Sequence, residues 1–143
     1  SVYFCDIIKD IIHQRSMTMS IRYRFDILTV LKDKGYNTNR IRKENPALQE
    51  YDNLEFYRAD NDKILFYGKS MGDNHIMVVV NLDPFQTQVS TVYVPIEKFG
   101  IAPDQSYEVH DLLTDNRYWW NGERNYVELN PEVGVAHVFL IKK

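Results

Sequence analysis

Cysteine is almost missing from this chain: Cys5 stands alone among 143 residues. A single thiol excludes an internal disulfide framework and fits a reducing compartment, so a cytoplasmic location is expected. No apolar run approaches the ~20 residues that a membrane-spanning helix needs. Ser1–Asp6 carries no basic stretch ahead of an apolar one, so neither a membrane segment nor a signal peptide is expected. Basic charge is not in excess either. Seventeen Lys and Arg against twenty Asp and Glu leave a formal charge of −3, and without a Lys/Arg stripe to neutralise phosphates nucleic acid is excluded as a partner. His13, His75, His110 and His137 lack metal-ligand spacing. Asp60-Asn61-Asp62 runs into Lys63-Ile64 where a calcium loop would need a glycine and further oxygens. No metal and no cofactor is expected.

Aromatic residues are plentiful, with ten Tyr, seven Phe and two Trp. In a β domain such residues fill the core, and they can also face sugars. The most apolar run is Ile76-Met-Val-Val-Val-Asn-Leu-Asp-Pro84. Branching at Cβ suits the pleated backbone, and the run is bounded by Gly72-Asp73-Asn74 and by Pro84, so it reads as a central strand buried on both faces. Val78 and Val80 are expected on one face and Val79 on the other. Further strands are expected at Leu54–Arg58, Ile64–Tyr67, Val89–Val94, Tyr107–Leu113, Arg117–Trp120, Asn125–Leu129 and Ala136–Ile141, with Ile96–Phe99 as a helical turn. About eight strands with turn signals every 8–12 residues indicate an antiparallel sandwich. Asn121-Gly122 is a strong two-residue hairpin signal and predicts a turn joining Arg117–Trp120 to Glu123–Leu129.

Residues 1–36 differ in texture. Phe4, Ile7, Ile8, Ile11 and Ile12 recur at helical spacing, and Ile21, Phe25, Leu28 and Leu31 form a second stripe that Gly35 can stop. Arg40–Glu44 predicts a short basic helix after the cap residues Asn37, Thr38 and Asn39, ended by Asn45 ahead of Pro46. The resulting division is a helical segment over residues 1–44 and a β-sandwich over 45–143. The stripes are too apolar to face water, so helices over residues 4–32 are expected to cover one side of the sandwich, within one chain or exchanged across a homodimer.

The order of several short pieces carries a family resemblance. These are Asn45-Pro-Ala-Leu48, Asp60-Asn-Asp62, Val78-Val-Val-Asn-Leu-Asp-Pro84, Val109-His-Asp-Leu-Leu113, Tyr118-Trp-Trp120, Asn125-Tyr-Val127 and Ala136-His-Val-Phe139. Over residues 40–141 the chain resembles the C-terminal β domain of the α-amylase superfamily. It is most similar to that of the bacterial maltosyltransferases that extend α-1,4-glucan from maltose 1-phosphate. The resemblance implies an eight-stranded antiparallel β-sandwich, preceded here by short N-terminal helices. It also implies a non-catalytic accessory role in glycogen metabolism and a partner in a (β/α)8 barrel. The family's catalytic Asp, Glu and Asp sit on that barrel, which needs roughly 200 residues, so no catalytic residue carries over to this chain.

Among candidate sites, Tyr118, Trp119 and Trp120 are the carbohydrate-binding candidates, because indole and phenol rings offer flat apolar surface to sugar C–H faces. In a strand Trp119 points opposite to Tyr118 and Trp120, so one set leaves the core and meets either α-glucan or a neighbouring domain. A free-standing α-glucan-binding module using this aromatic face is the alternative reading. A hydrolase would require a constellation of titratable groups that the sequence does not display. His110 and Asp111 are adjacent in a strand and face opposite ways, Asp60-Asn61-Asp62 reads as a structural turn, and Cys5 reads as a small apolar residue.

Overall fold

A computed structural model describes residues 27–50 and 52–143. The first helical stripe, Cys5, His13 and most of the expected cover over residues 4–32 lie outside the described residues. Two short helices open the described chain, α1 (Ile27–Asp33) and α2 (Thr38–Glu44), followed by a 3-10 turn at Pro46–Leu48. Gly35 takes φ +95° past α1, the left-handed conformation that ends helices. The Asn37 side chain accepts a hydrogen bond from the Arg40 N–H, and Asn45, in extended conformation ahead of proline, ends α2.

Eight strands follow: β1 (Leu54–Phe56), β2 (Ile64–Met71), β3 (Asn74–Asn81), β4 (Gln88–Tyr93), β5 (Ser106–Asp111), β6 (Arg117–Asn121), β7 (Arg124–Leu129) and β8 (Ala136–Lys142). Six form one antiparallel sheet in the order β1-β2-β3-β8-β5-β6, and β4 pairs with β7 in a second. The central run is β3, held between β2 and β8 with Phe66 opposite Val79 and Val78 opposite Val138. Every residue from His75 to Asn81 is buried. Val78 and Val80 lie in one hydrophobic cluster and Val79 in another, as the period of two requires.

Those clusters lie on the two faces of the large sheet. The inner one joins Phe66, Met77, Val79 and Phe139 to Val92, Val127 and Leu129 of the small sheet. The outer one joins Leu65, Tyr67, Ile76 and Val78 to Leu28, Leu31, Ile41, Ala47 and Leu48 of the helical segment. The part of the apolar stripe that falls in α1 thus covers the large sheet. An asparagine seam fixes this cover: Asn74 Oδ1 accepts from the Ala47 N–H at 2.8 Å, its Nδ2 donates to Asn45 Oδ1, and Asn53 donates to the Ala47 carbonyl. The Asn-Pro-Ala-Leu stretch therefore docks the helical segment onto the β2–β3 hairpin.

Two turns behave as expected. Asn61 donates to Gln88 Oε1 and the Val89 carbonyl and accepts from the Lys63 N–H, so the Asp60–Asp62 turn ties β4 to the start of β2. Asp83 Oδ1 accepts from the N–H groups of Phe85 and Gln86. At Gly68 an added Cβ would lie 2.4 Å from the Tyr57 ring, which packs edge-on against Phe66 and Phe99.

The hairpin expectation at Asn121-Gly122 is corrected. Gly122 does have positive φ, +68°. However, Asn121 is still paired with Ser106 in β5–β6, and β7 leaves to pair with β4 in the other sheet. The turn is a corner between sheets. Tyr107, buried on β5, donates its hydroxyl to the Gly122 carbonyl at 2.7 Å, and the Asn125 amide bonds both Tyr107 Oη and Gly122 O. Burial pushes the Tyr107 phenol up to about 12, so it stays a donor in that corner.

Candidate functional site

The β5–β6 register decides what the aromatic strand offers. Trp119 stands opposite Glu108, and Tyr118 opposite Val109. Val109 belongs to the inner cluster, so Tyr118 and Trp120 turn to the inner side and Trp119 to the helix-bearing side. The three aromatic candidates do not form one face. Tyr118 and Trp120 both pack edge-on against Phe139, with ring centroids 6.3 and 5.4 Å away. Trp119 remains 68% exposed, beside the Arg117–Glu108 ion pair. The hydrogen bond from Arg117 holds the Glu108 carboxyl below the usual range.

The inner-side pair belongs to a larger arrangement. β6 ends the large sheet and β7 is an edge of the small one. Between them opens a cleft of about 210 Å³ walled by Tyr118, Trp120, Tyr126, Glu128, His137 and Phe139. Tyr126 is 63% exposed at its rim. A second cleft of about 300 Å³ adjoins it and shares Glu128 and His137.

His137 is fixed in place. Its Nδ1 lies 2.8 Å from Asp111 Oδ2, its ring stacks on Phe139, and Asp111 is fully buried with Oδ1 accepting the Leu113 N–H. Its Nε2 lies 3.4 Å from the Glu128 carbonyl oxygen, so each ring nitrogen of His137 faces an oxygen that accepts a hydrogen bond. Among the described residues no hydroxyl or thiol is hydrogen-bonded to His137, whose described partners are the Asp111 carboxylate and the Glu128 carbonyl.

His110, next in sequence to Asp111, faces the other way as expected. It meets Asp115 at 2.6 Å, and that bond holds the Asp115 carboxyl below its ordinary value. With Arg40 and Glu44 of α2 they border a cleft of about 270 Å³ on the helix-bearing side. Among the described residues no group of three His, Cys, Asp or Glu is placed to hold a metal ion.

Sequence alone marked Tyr118 and Trp120 but missed Tyr126, Glu128, His137 and Phe139. Alternation along β7 puts Tyr126 and Glu128 on one side, which was legible. That β7 swings into the second sheet, and so brings them opposite β6, was not.

Known proteins resemble this chain in two separate ways, in sequence and in fold. A sequence profile described as "GLGE, C-terminal" matches residues 56–141. An alpha-1,4-glucan:maltose-1-phosphate maltosyltransferase of Rhodospirillum rubrum is 42% identical over 113 residues, which are 78% of this chain and 16% of that protein. The enzyme of the same name from Picrophilus torridus is 40% identical over 121 residues, 85% of this chain and 19% of that one. The chain therefore spans less than a fifth of the length of these relatives. Among solved structures, the alpha-amylase of Geobacillus thermoleovorans complexed with acarbose superposes with a TM-score of 0.52 at 16% identity, covering 72% of this chain and 21% of that one. An Anoxybacillus alpha-amylase gives a TM-score of 0.52 at 15% identity, over 72% and 20%. The amylase likeness is one of fold, whereas the profile and the ~40% identities are likenesses of sequence, and by them this chain belongs to the GLGE C-terminal family.

Proposed function

We propose that this chain acts as the non-catalytic C-terminal accessory domain of a cytoplasmic α-1,4-glucan:maltose-1-phosphate maltosyltransferase. Its partner would be the catalytic barrel supplied by the remaining length of such an enzyme. The observation that carries the reading is the pair of coverages: 85% of this chain aligns to only 19% of a maltosyltransferase. The carboxylates support it. Retaining glycosyl transfer places two carboxylates ~5–5.5 Å apart around one sugar. Among the described residues Glu128 is the one carboxylate lining the β6–β7 cleft, while buried Asp111 is engaged by His137 and the Leu113 N–H.

The helix-bearing face is the side on which the barrel would sit. The chain enters there through α1, and Trp119, too large and apolar to stand 68% exposed without cause, lies on the same side. The division between residues 1–44 and 45–143 follows the same logic, the first part being the lead-in and the second the accessory domain.

The test is to assay the purified chain for phosphate release from maltose 1-phosphate with glycogen as acceptor. It is then added to a relative from which the matching C-terminal part has been removed. No turnover by the chain alone and recovery of soluble, active enzyme on mixing are expected. Turnover by the chain alone would overturn the reading.

A further inference from the structure

A sheet edge carries a row of unpaired N–H and C=O groups that another strand can take up, and natural edges are blunted by shortness, charge or cover. Among the described residues three edges of this fold are blunted. β1 has three residues. β4 is covered by the chain at Arg58–Asp60, where Ala59 bridges Val92, the Tyr93 N–H donates to the Arg58 carbonyl and the Asp60 N–H donates to the Thr91 carbonyl. β7 carries charge at Arg124 and Glu128. β6 has none of these devices. It contains no proline and no lysine, and its single charge, Arg117, is paired with Glu108 of its own chain. Tyr118 and Trp119 are exposed on it.

Neighbouring bonds show which backbone groups of β6 face outward. The Asp111 N–H donates to the Asn116 carbonyl, whereas the Leu112 N–H donates to the Val138 carbonyl on β8. Backbone direction alternates along a strand, so Tyr107 and Val109 turn theirs to β6, and Glu108 and His110 to β8. Tyr118 and Trp120, which stand opposite Val109 and Tyr107, therefore bond β5. Arg117, Trp119 and Asn121 point their N–H and C=O groups away from it. Among the described residues these outward groups have no backbone partner.

We infer that β6 is a dimerisation edge, on which β6 of a second copy of this chain pairs antiparallel about a two-fold axis at Trp119. The pattern of the strand selects a second copy as the occupant, because it is complementary to itself. The antiparallel register that engages all the outward groups is the one centred on Trp119. It sets each Arg117 opposite the neutral Asn121 of the other copy and the two Trp119 residues opposite each other, and these are the hydrogen-bonded pairs. Between them Tyr118 meets Trp120 on the inner side, an aromatic cross-strand pair. No two like charges face each other within the strand. Gly122 turns the chain into the corner with positive φ, so the pairing stops at Asn121. The ladder lies in the plane of the sheet and leaves the helix-bearing face to the barrel, so the inference does not depend on the accessory reading.

Sedimentation of the chain at rising concentration tests the assignment. A reversible monomer–dimer equilibrium is expected, and the Trp119 amide should exchange its hydrogen more slowly as the dimer fills. Trp119→Lys sets two like charges opposite each other at the axis and is expected to weaken the dimer by at least about tenfold. Trp119→Pro removes an outward N–H without touching a bond to β5, and proline is tolerated on such an edge, so a monomer is expected. Asn121→Asp puts a carboxylate opposite each Arg117 and is expected to tighten the dimer several-fold, with the gain lost at high salt. Melting curves monitor folding, and the lysine variant keeps the test valid should the proline variant unfold. A chain that stays monomeric at every concentration would overturn the inference, as would a dimer that Trp119→Lys leaves at the parent's affinity. None of these outcomes touches the accessory reading, which the phosphate-release and mixing assays decide separately.

Discussion

The two faces of the six-stranded sheet are buried by different means. The inner face is closed by β4 and β7, so Val92, Val127 and Leu129 meet Phe66, Val79 and Phe139 strand against strand. The outer face is closed by a helical segment, and Leu28, Leu31, Ile41, Ala47 and Leu48 supply the cover. The inner closure is stitched by a side-chain bond between the sheets and by a backbone bridge. Asn81 on β3 donates to the Leu129 carbonyl on β7, and Ala59 bridges Val92. The outer closure hangs on α1, on α2 and on the asparagine seam at Asn45, Asn53 and Asn74. A face covered by strands of its own sandwich is complete in itself, whereas a face covered by a short lead-in helix is one that the rest of a larger protein can also use.

The strongest way to break this contrast is to remove the outer cover. Deleting residues 1–36 takes away Leu28 and Leu31, both fully buried. The loss should be at least ~2–5 kcal/mol for each, with apolar sheet left open to solvent. Lower solubility and aggregation in sedimentation are expected; a deletion variant as soluble, monomeric and stable as the parent would show that the segment covers nothing.

Next in size are changes within the inner face. Gly68→Ala would drive a methyl group into the Tyr57 ring, and overpacking of this kind costs ~1–3 kcal/mol. Val79→Ala should cost ~1–2 kcal/mol, the loss of two buried methyl groups and a partial cavity. Chemical denaturation midpoints read both, and Val78→Ala on the outer face should match Val79→Ala, since both side chains are fully buried. A midpoint that moves for one valine alone would break the symmetry of β3.

A smaller effect concerns acid. Hydrogen bonds from the Phe85 N–H first, and then from Gln88 and Gln86, hold the Asp83 carboxyl below its ordinary value. Its stabilising contribution is therefore complete above the unfolded carboxylate range near pH ~4 and is lost as pH falls through the lowered folded value. Melting temperatures taken from neutral to acid pH should show a shallower acid decline for Asp83→Ala than for the parent. The smallest effect is expected at Trp119→Ser: within about 0.5 kcal/mol in the isolated chain, as for other exposed sites, yet with weaker recovery of activity in the mixing assay if Trp119 meets the barrel.

Local chemistry made much of the fold legible. The valines of β3, Gly35 after α1, the Asx turns at Asn61 and Asp83, and the extended Asn45 before Pro46 each depend on neighbours within a few positions, so sequence by itself determined them. It also determined that Trp119 must face away from Tyr118 and Trp120, because side chains alternate along any strand. Only the tertiary structure decided which sheet each strand joins. Asn121-Gly122 carries the local signal of a hairpin, and Gly122 takes the left-handed backbone that signal requires. Yet buried Tyr107 and Asn125 hold the turn as a corner, and Asn121 stays bonded to β5 while β7 pairs with β4. Long-range pairing overrides a two-residue preference because it is worth six paired positions along β4–β7, each adding hydrogen bonds and side-chain contacts. That one choice of partner brings Tyr126 and Glu128 across from Tyr118 and Trp120, and so makes a cleft that no stretch of the sequence contains.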